Sequence, residues 1–124
     1  MRHRRRACGF HLALIAVLSL LPAWLFPPSL AQIPGVDKWV HMAMYGVLGA
    51  LLRWAAGARP GWRMHLALPL AAAGYGLLME ILQLGIGGPG RMFSWGDAAA
   101  NLAGAVVFWL AAGRLLGNRQ TDGR

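Results

Sequence analysis

The stretch Met64–Ile86, MHLALPLAAAGYGLLMEILQLGI, decides the fold of this 124-residue chain. It is apolar over a length close to the roughly 20 residues that a helix needs to cross a bilayer. Glu80 is the one acidic side chain within it. An ionisable residue inside such a helix is costly to keep, so Glu80 is the first candidate for a functional residue.

Three further apolar segments of similar length accompany this one, and they lie at about residues 9–26, 37–56 and 97–116. The connections between the four segments are short and rich in glycine and proline, as turns and loops are. We therefore predict an all-α membrane protein, a compact bundle of four transmembrane helices at about 9–26, 37–56, 64–86 and 97–116. A single domain would cover residues 1–124, with a basic N-terminus at 1–8 and a tail at 117–124.

Lysine and arginine are distributed unevenly along the chain. Of the 12 such residues, ten lie at the two termini or in and beside the middle connection, and only Lys38 and Arg91 lie elsewhere. By the positive-inside rule, both termini are predicted to be cytoplasmic in a multi-pass protein of the cell inner membrane. The net charge of +8 would otherwise favour nucleic acid. No basic face is interleaved with polar surface, so nucleic acid is not expected as a partner.

The first segment has an alternative interpretation as a cleaved signal peptide. A basic start and an apolar run are followed by Ser29-Leu30-Ala31, which has the small residues of a cleavage site. The apolar run is longer than that of a typical signal peptide, and Pro27-Pro28 follow it directly. These two features favour retention of the segment as a helix.

The acidic residues and their polar neighbours share one depth in the predicted bundle. Asp37 and Asp97 begin the second and fourth helices at the outer boundary. At a rise of about 1.5 Å per residue, Glu80 lies about 9 Å below that boundary, and His41 and Asn101 about 6 Å below it. Polar groups at equal depth are best accommodated if they face one another inside the bundle.

Helical spacing places these residues on three stripes, because residues three or four apart share a helix face. The stripes are Asp37, His41 and Tyr45; Glu80 and Gln83; and Asp97, Asn101 and Gly104. Lys38 adjoins the first stripe, and Arg91 lies in the glycine-rich loop before the third. We interpret Glu80, Asp97 and His41 as candidate catalytic residues, with candidate binding residues Asp37, Lys38, Tyr45, Gln83, Arg91 and Asn101.

A purely structural interpretation stands beside this one. Asp37 and Asp97 are suitable N-terminal caps of their helices. The whole cluster would then join helices by hydrogen bonds worth about 0.6–2 kcal/mol each. No metal or other cofactor is expected, because the chain has no HxxxH pair and only one cysteine, Cys8. His41 and the three acids would nevertheless suit a hard, oxygen-rich metal site.

Four motifs in order carry a family resemblance. They are D-K-x-x-H-x-x-x-Y at Asp37–Tyr45, E-x-x-Q at Glu80–Gln83, G-R at Gly90-Arg91 and D-x-x-x-N-x-x-G at Asp97–Gly104. The chain thereby resembles the VanZ-like family of small bacterial membrane proteins over about Asp37 to Leu110. The aromatic residue often found after the family's histidine is Met42 here. The resemblance implies a helical membrane domain linked to the cell envelope, in a family named after a member associated with antibiotic resistance to the glycopeptide teicoplanin.

The expected function is that the polar pocket handles a lipid-linked or cell-wall precursor, or a glycopeptide, at the outer leaflet. Membrane lipid is the general partner, and the pattern leaves open whether the protein is an enzyme. One alternative is a non-catalytic binding or structural membrane protein. A second alternative is a proton or ion conductor, which is disfavoured because the polar band covers only the outer third of the bundle and a relay must cross the remaining ~20 Å.

Overall fold

The computed structural model describes residues 1–57, 59–86, 88 and 92–121, and all regular structure within these ranges is helical. The four long helices are α1 (Arg2–Leu20), α3 (Val36–Ala56), α4 (Trp62–Ile86) and α5 (Trp95–Thr121). A 3-10 turn at Ala23–Leu25 and the short helix α2 (Pro28–Ala31) lie between α1 and α3. The predicted all-α class is confirmed.

Helix α1 begins and ends earlier than the sequence pattern predicts. It begins at Arg2, so the basic residues form its first turns and do not precede it. It stops at Leu20, because Leu21 has an extended backbone with φ −61° and ψ 140°. A residue that precedes a proline is driven out of the helical region by the proline ring. The prediction that Pro22 lies within a helix continuing to residue 26 is therefore wrong.

A glycine with a left-handed backbone conformation precedes α3, and another follows it. Gly35 precedes the helix with φ 71°, and Gly57 follows it with φ 87°. A residue with a Cβ atom would be strained at either φ angle, whereas glycine adopts both readily. These two residues set the start and the end of α3 close to the predicted 37–56.

Helices α3 and α5 form the most extensive pair in the bundle. Their backbones approach at two glycines. A Cβ atom on Gly104 would overlap the carbonyl oxygen of Met42, and one on Gly49 would overlap the carbonyl oxygen of Ala105. Small residues permit such close approach where no hydrophobic force drives helices together. Short polar side chains near this crossing can therefore reach from one helix to the other.

Three hydrogen bonds between side chains and backbone carbonyls tie α1 to α3 and α4. The Tyr75 hydroxyl donates to the Leu12 carbonyl at 2.8 Å, and the Gln83 amide donates to the Ser19 carbonyl at 2.9 Å. Nε2 of His11 lies 2.9 Å from the carbonyl oxygen of Met44. The apolar core then includes Ile15 of α1 together with residues of the other long helices, namely Tyr45, Leu48, Ala72, Met79 and Ala105.

Two helices of the described chain are long and apolar enough to cross a membrane, α4 and the part of α5 from Trp95 to Gly117. In each, only 28% of the apolar window is buried inside the bundle. Large apolar side chains such as Leu66, Leu70 and Leu110 are more than half exposed. Core helices of a soluble protein would bury such faces, so these helices suggest a membrane protein.

Candidate functional site

Three helices bring one polar residue each to a shared point beside the α3–α5 crossing. His41 comes from α3, Glu80 from α4 and Asp97 from α5. Each offers a ring nitrogen or carboxylate oxygen, and these three atoms lie within 4.8 Å of one another. Asn101, one turn after Asp97, completes a group that we call the polar cluster: His41, Glu80, Asp97 and Asn101.

The imidazole of His41 is the centre of the polar cluster. Its Nδ1 lies 2.9 Å from Oδ1 of Asn101, a hydrogen-bond distance. Nδ1 is also 3.9 Å from Oε1 of Glu80, and Nε2 is 3.8 Å from Oδ2 of Asp97. Because a carboxamide oxygen only accepts, Nδ1 is the donor to Asn101. Nε2 is then the ring nitrogen that faces Asp97.

Glu80 is the most deeply buried acid of the polar cluster, with a side chain that is 1% exposed. Its Oε2 accepts a hydrogen bond from the backbone N–H of Ser94 at 3.2 Å. The segment just before α5 thus supports the carboxylate from one side, while Oε1 faces the imidazole. A buried carboxylate is expensive unless such donors surround it.

Asp97 is held from the solvent side by Lys38. The Nζ atom of Lys38 donates to Oδ1 of Asp97 at 3.3 Å and to Oδ2 of Asp37 at 2.8 Å. Side chains of Lys38 and Asp37 are half exposed, so these pairs add little to stability. Asp37 therefore lies at the rim of the polar cluster and not within it.

The interpretation of Asp97 as an N-terminal cap is wrong. Ser94 caps α5, because its Oγ accepts the backbone N–H of Asp97 at 3.2 Å. Asp97 occupies the first turn, with its carboxylate directed to Lys38 and His41. Asp37 likewise lies in the first turn of α3. The N-cap residue of that helix is Gly35, and no side chain caps it. Neither acid is needed to cap a helix.

Tyr45 and Asn101 are fully buried and pack against the same glycine. A Cβ atom on Gly76 would lie 2.6 Å from Nδ2 of Asn101 and 3.0 Å from Cε1 of Tyr45. Among the described residues, neither the Tyr45 hydroxyl nor Nδ2 of Asn101 has a hydrogen-bond partner. Buried polar groups are normally paired, so these two atoms call for an explanation.

Two predicted binding residues, Gln83 and Arg91, are not part of the polar cluster. Gln83 is buried, and its amide donates to the carbonyl of Ser19 in α1; its side chain lines the cavity described below instead of joining the ligand atoms around His41. Its spacing of three residues from Glu80 predicts that the two side chains share a helix face. In the structure the side chain of Gln83 is instead directed towards α1. Arg91 lies outside the described residues.

A largely apolar cavity of about 850 Å³ opens beside the polar cluster. Its walls come from the end of α1, the segment 23–30, and α3, with Leu18, Trp24, Leu30 and Met44 among them. Its polar lining residues are Ser19, Asp37, His41 and Gln83, the last contributed by α4. Its volume falls within the range of about 300–1,000 Å³ that is usual for small-molecule sites.

Sequence reasoning missed three contributors to this site. Ser94 supports Glu80 through its backbone, and a backbone donor has no residue signature. Gly76 makes room for Tyr45 and Asn101, and a glycine within an apolar segment indicates close helix packing without identifying the residues packed there. The segment 23–30 lines the cavity, because Pro22 ends α1 before it. Of these, only the S-x-x-D spacing of Ser94 and Asp97 could have been read as a capping signal.

Comparisons with protein-family models, with curated proteins and with solved structures find no match to this chain. The polar cluster combines a histidine, two carboxylates and a carboxamide with an adjoining apolar cavity. Such a set can hold a polar head group by hydrogen bonds, move a proton, or coordinate a cation.

Proposed function

We propose that this chain is a VanZ-like protein of the bacterial inner membrane, in which α1, α3, α4 and α5 all span the bilayer. The exposed apolar faces of α4 and α5 support insertion. The ten lysine and arginine residues at the termini and beside the middle connection support cytoplasmic termini. In this orientation the polar cluster lies near the outer leaflet.

Reporter fusions test this topology. Alkaline phosphatase folds only outside the cytoplasm, so a fusion after Met92, between α4 and α5, is expected to be active. A fusion after Arg59, between α3 and α4, is expected to be inactive. Fluorescence of green fluorescent protein at the C-terminus should complement this pattern. Active phosphatase at Arg59, or inactive phosphatase at Met92 in a stable fusion, would contradict the proposed orientation.

The pocket is proposed to bind an amphiphile of the cell envelope, a lipid-linked precursor with a phosphate-bearing polar head. One observation carries this proposal: His41 belongs both to the polar cluster and to the wall of the apolar cavity. A hydrocarbon tail would lie in the cavity, and the head would lie against His41. Lys38 would attract the phosphate, and the carboxylates of Glu80 and Asp97 would accept hydrogen bonds from hydroxyl groups of the head.

Photo-crosslinking tests the binding of such an amphiphile. The probe is a polyprenyl phosphate with a diazirine in its tail, added to the protein in lipid nanodiscs. Leu18→Trp should fill the cavity and reduce labelling about tenfold, which corresponds to ~1.4 kcal/mol of binding free energy. Leu14→Trp is the matched control, since Leu14 lies one turn earlier on α1, is 39% exposed and does not line the cavity. Equal labelling of both variants would exclude the cavity as the site of the tail.

The same experiment separates binding from turnover. If the protein is an enzyme, the head group of the probe is altered after long incubation, and Glu80→Gln prevents this while labelling persists. If the protein only binds, the probe is recovered unchanged from the wild type. Full activity in Glu80→Gln would remove Glu80 from any catalytic role.

A further inference from the structure

We propose that His41, Glu80 and Asp97 bind a divalent transition-metal ion, of the kind represented by Zn²⁺ and Mn²⁺. The three residues come from three different helices, and their ligand atoms lie within 4.8 Å of one another. This inference goes beyond the proposed binding of an amphiphile. It concerns a cation site that can be loaded whether or not a lipid is present.

The hydrogen bond to Asn101 prepares the imidazole for a metal. Ligating histidines almost always donate their second ring N–H to a carbonyl or carboxylate, which fixes the ring and its tautomer. Nδ1 of His41 meets this requirement at 2.9 Å from Oδ1 of Asn101. The lone pair of Nε2 is then directed to the side of Asp97.

The spacing between Nε2 and Asp97 fits an ion between them better than a direct hydrogen bond. Nε2 and Oδ2 of Asp97 are 3.8 Å apart, which exceeds the ordinary hydrogen-bond range. Two atoms that each bind one ion at about 2.0–2.2 Å lie about 3.3–3.6 Å apart at the tetrahedral angle, and up to about 4.4 Å apart at wider angles. A metal ion would take one lone pair from Nε2 and one from the carboxylate oxygen, and so would hold the two atoms at such a distance.

Both carboxylates have one oxygen held by the protein and the other facing the imidazole. Oε2 of Glu80 accepts the backbone N–H of Ser94, and its Oε1 lies 3.9 Å from Nδ1 of His41, at the edge of the ring beside Asn101. Oδ1 of Asp97 accepts from Lys38, and its Oδ2 faces His41. Outer contacts of this kind orient ligands and are part of natural metal sites. One nitrogen and two carboxylate oxygens form a mixed set that suits Zn²⁺ or Mn²⁺ better than a soft ion.

A second, independent observation points to a bound group at this position. The side chains of Asn101 and Tyr45 are fully buried, yet Nδ2 and the phenol hydroxyl have no hydrogen-bond partner among the described residues. Asn101 adjoins the imidazole directly, and Tyr45 lies one helical turn from His41 on the same face. Water or an anion on the metal would supply an acceptor for these donors.

The experiment measures metal binding alone. Full-length protein with a tag that contains no histidine is purified in detergent and stripped with a chelator. Zn²⁺ is titrated by calorimetry, and Mn²⁺ by loss of the electron paramagnetic resonance signal of the free ion. We expect saturable binding of one ion per chain, with Zn²⁺ displacing Mn²⁺.

Three variants locate the ion. His41→Gln and Asp97→Asn should each abolish the one-to-one binding, and Asn101→Ala should weaken it about 10–100-fold through the outer contact. His3→Gln is the matched control, because His3 is exposed near the N-terminus and should leave the affinity unchanged. Circular dichroism and gel filtration confirm that each variant is folded.

The outcomes decide the inference. Absence of saturable binding in the wild type would overturn it. Equal binding by wild type and by folded His41→Gln and Asp97→Asn would also overturn it, because the ion would then lie elsewhere. Loss of lipid labelling with intact metal binding would reject the proposed amphiphile alone, so the two proposals fail separately.

Discussion

Gly104→Ala is expected to destabilise the bundle by about 1–3 kcal/mol, and Gly104→Leu to prevent its assembly. The added Cβ atom meets the carbonyl oxygen of Met42, which belongs to a helix backbone and cannot move aside as a side chain can. Gly49→Ala should act similarly, because its Cβ atom meets the carbonyl oxygen of Ala105. The helices α3 and α5 would separate, and the distances within the polar cluster would increase.

Gly74→Ala is the matched control for this prediction. Gly74 lies within α4, and a Cβ atom added there has no neighbour within 4 Å. Alanine is favoured over glycine in a helix by about 1 kcal/mol, so this variant should be neutral or more stable. The measurement is unfolding in mixed micelles with increasing SDS, followed by tryptophan fluorescence. If Gly104→Ala unfolds at the same SDS fraction as Gly74→Ala, the close α3–α5 contact is refuted.

Asn101→Ala is expected to give the second large effect, a loss of about 1–3 kcal/mol. The substitution removes the acceptor of the His41 hydrogen bond at 2.9 Å and leaves a buried N–H without a partner. Asn101 itself is 0% exposed, so water does not readily replace it. His41→Ala and the double variant complete a double-mutant cycle in the same SDS assay. A coupling energy near zero would show that the two side chains do not interact.

Tyr45→Phe provides the contrast to Asn101→Ala. The variant removes a buried hydroxyl that has no hydrogen-bond partner among the described residues, so stability should be unchanged or higher. Binding of a ligand that uses this hydroxyl should fall. Stability that rises while binding falls is typical of residues kept for function. A clear loss of stability would instead assign Tyr45 a structural hydrogen bond.

The convergence of His41, Glu80 and Asp97 could be predicted from the sequence, since helical spacing and depth are local properties of each segment. Asn101 followed from the same spacing. These residues lie in the interiors or first turns of long helices, where one turn of error in a boundary does not change the face. The bounds of α3 and α4 were predictable because Gly35, Gly57 and the charged residues mark them.

What escaped prediction depends on contacts between distant segments. Gln83 sits three residues after Glu80, yet its amide bonds to α1, because the rotation of α4 is fixed by packing and not by its own pattern. The cavity arises because Pro22 ends α1 and the following segment folds beside α3. The sequence contains Pro22, but whether a membrane helix tolerates a proline depends on its neighbours.

The early end of α1 is also expected to give the site two regions of different mobility. None of the side chains of the 3-10 turn is buried, and the described side chains of α2 are exposed as well. The polar cluster, by contrast, is fixed between three long helices. Segments with few buried contacts open locally at little free-energy cost. We expect the opening of residues 23–30 to determine the rate at which a ligand enters and leaves. The residues on the long helices should determine which ligand binds. Restraining that segment, for example by cross-linking it to α3, should therefore lengthen residence time while leaving selectivity unchanged.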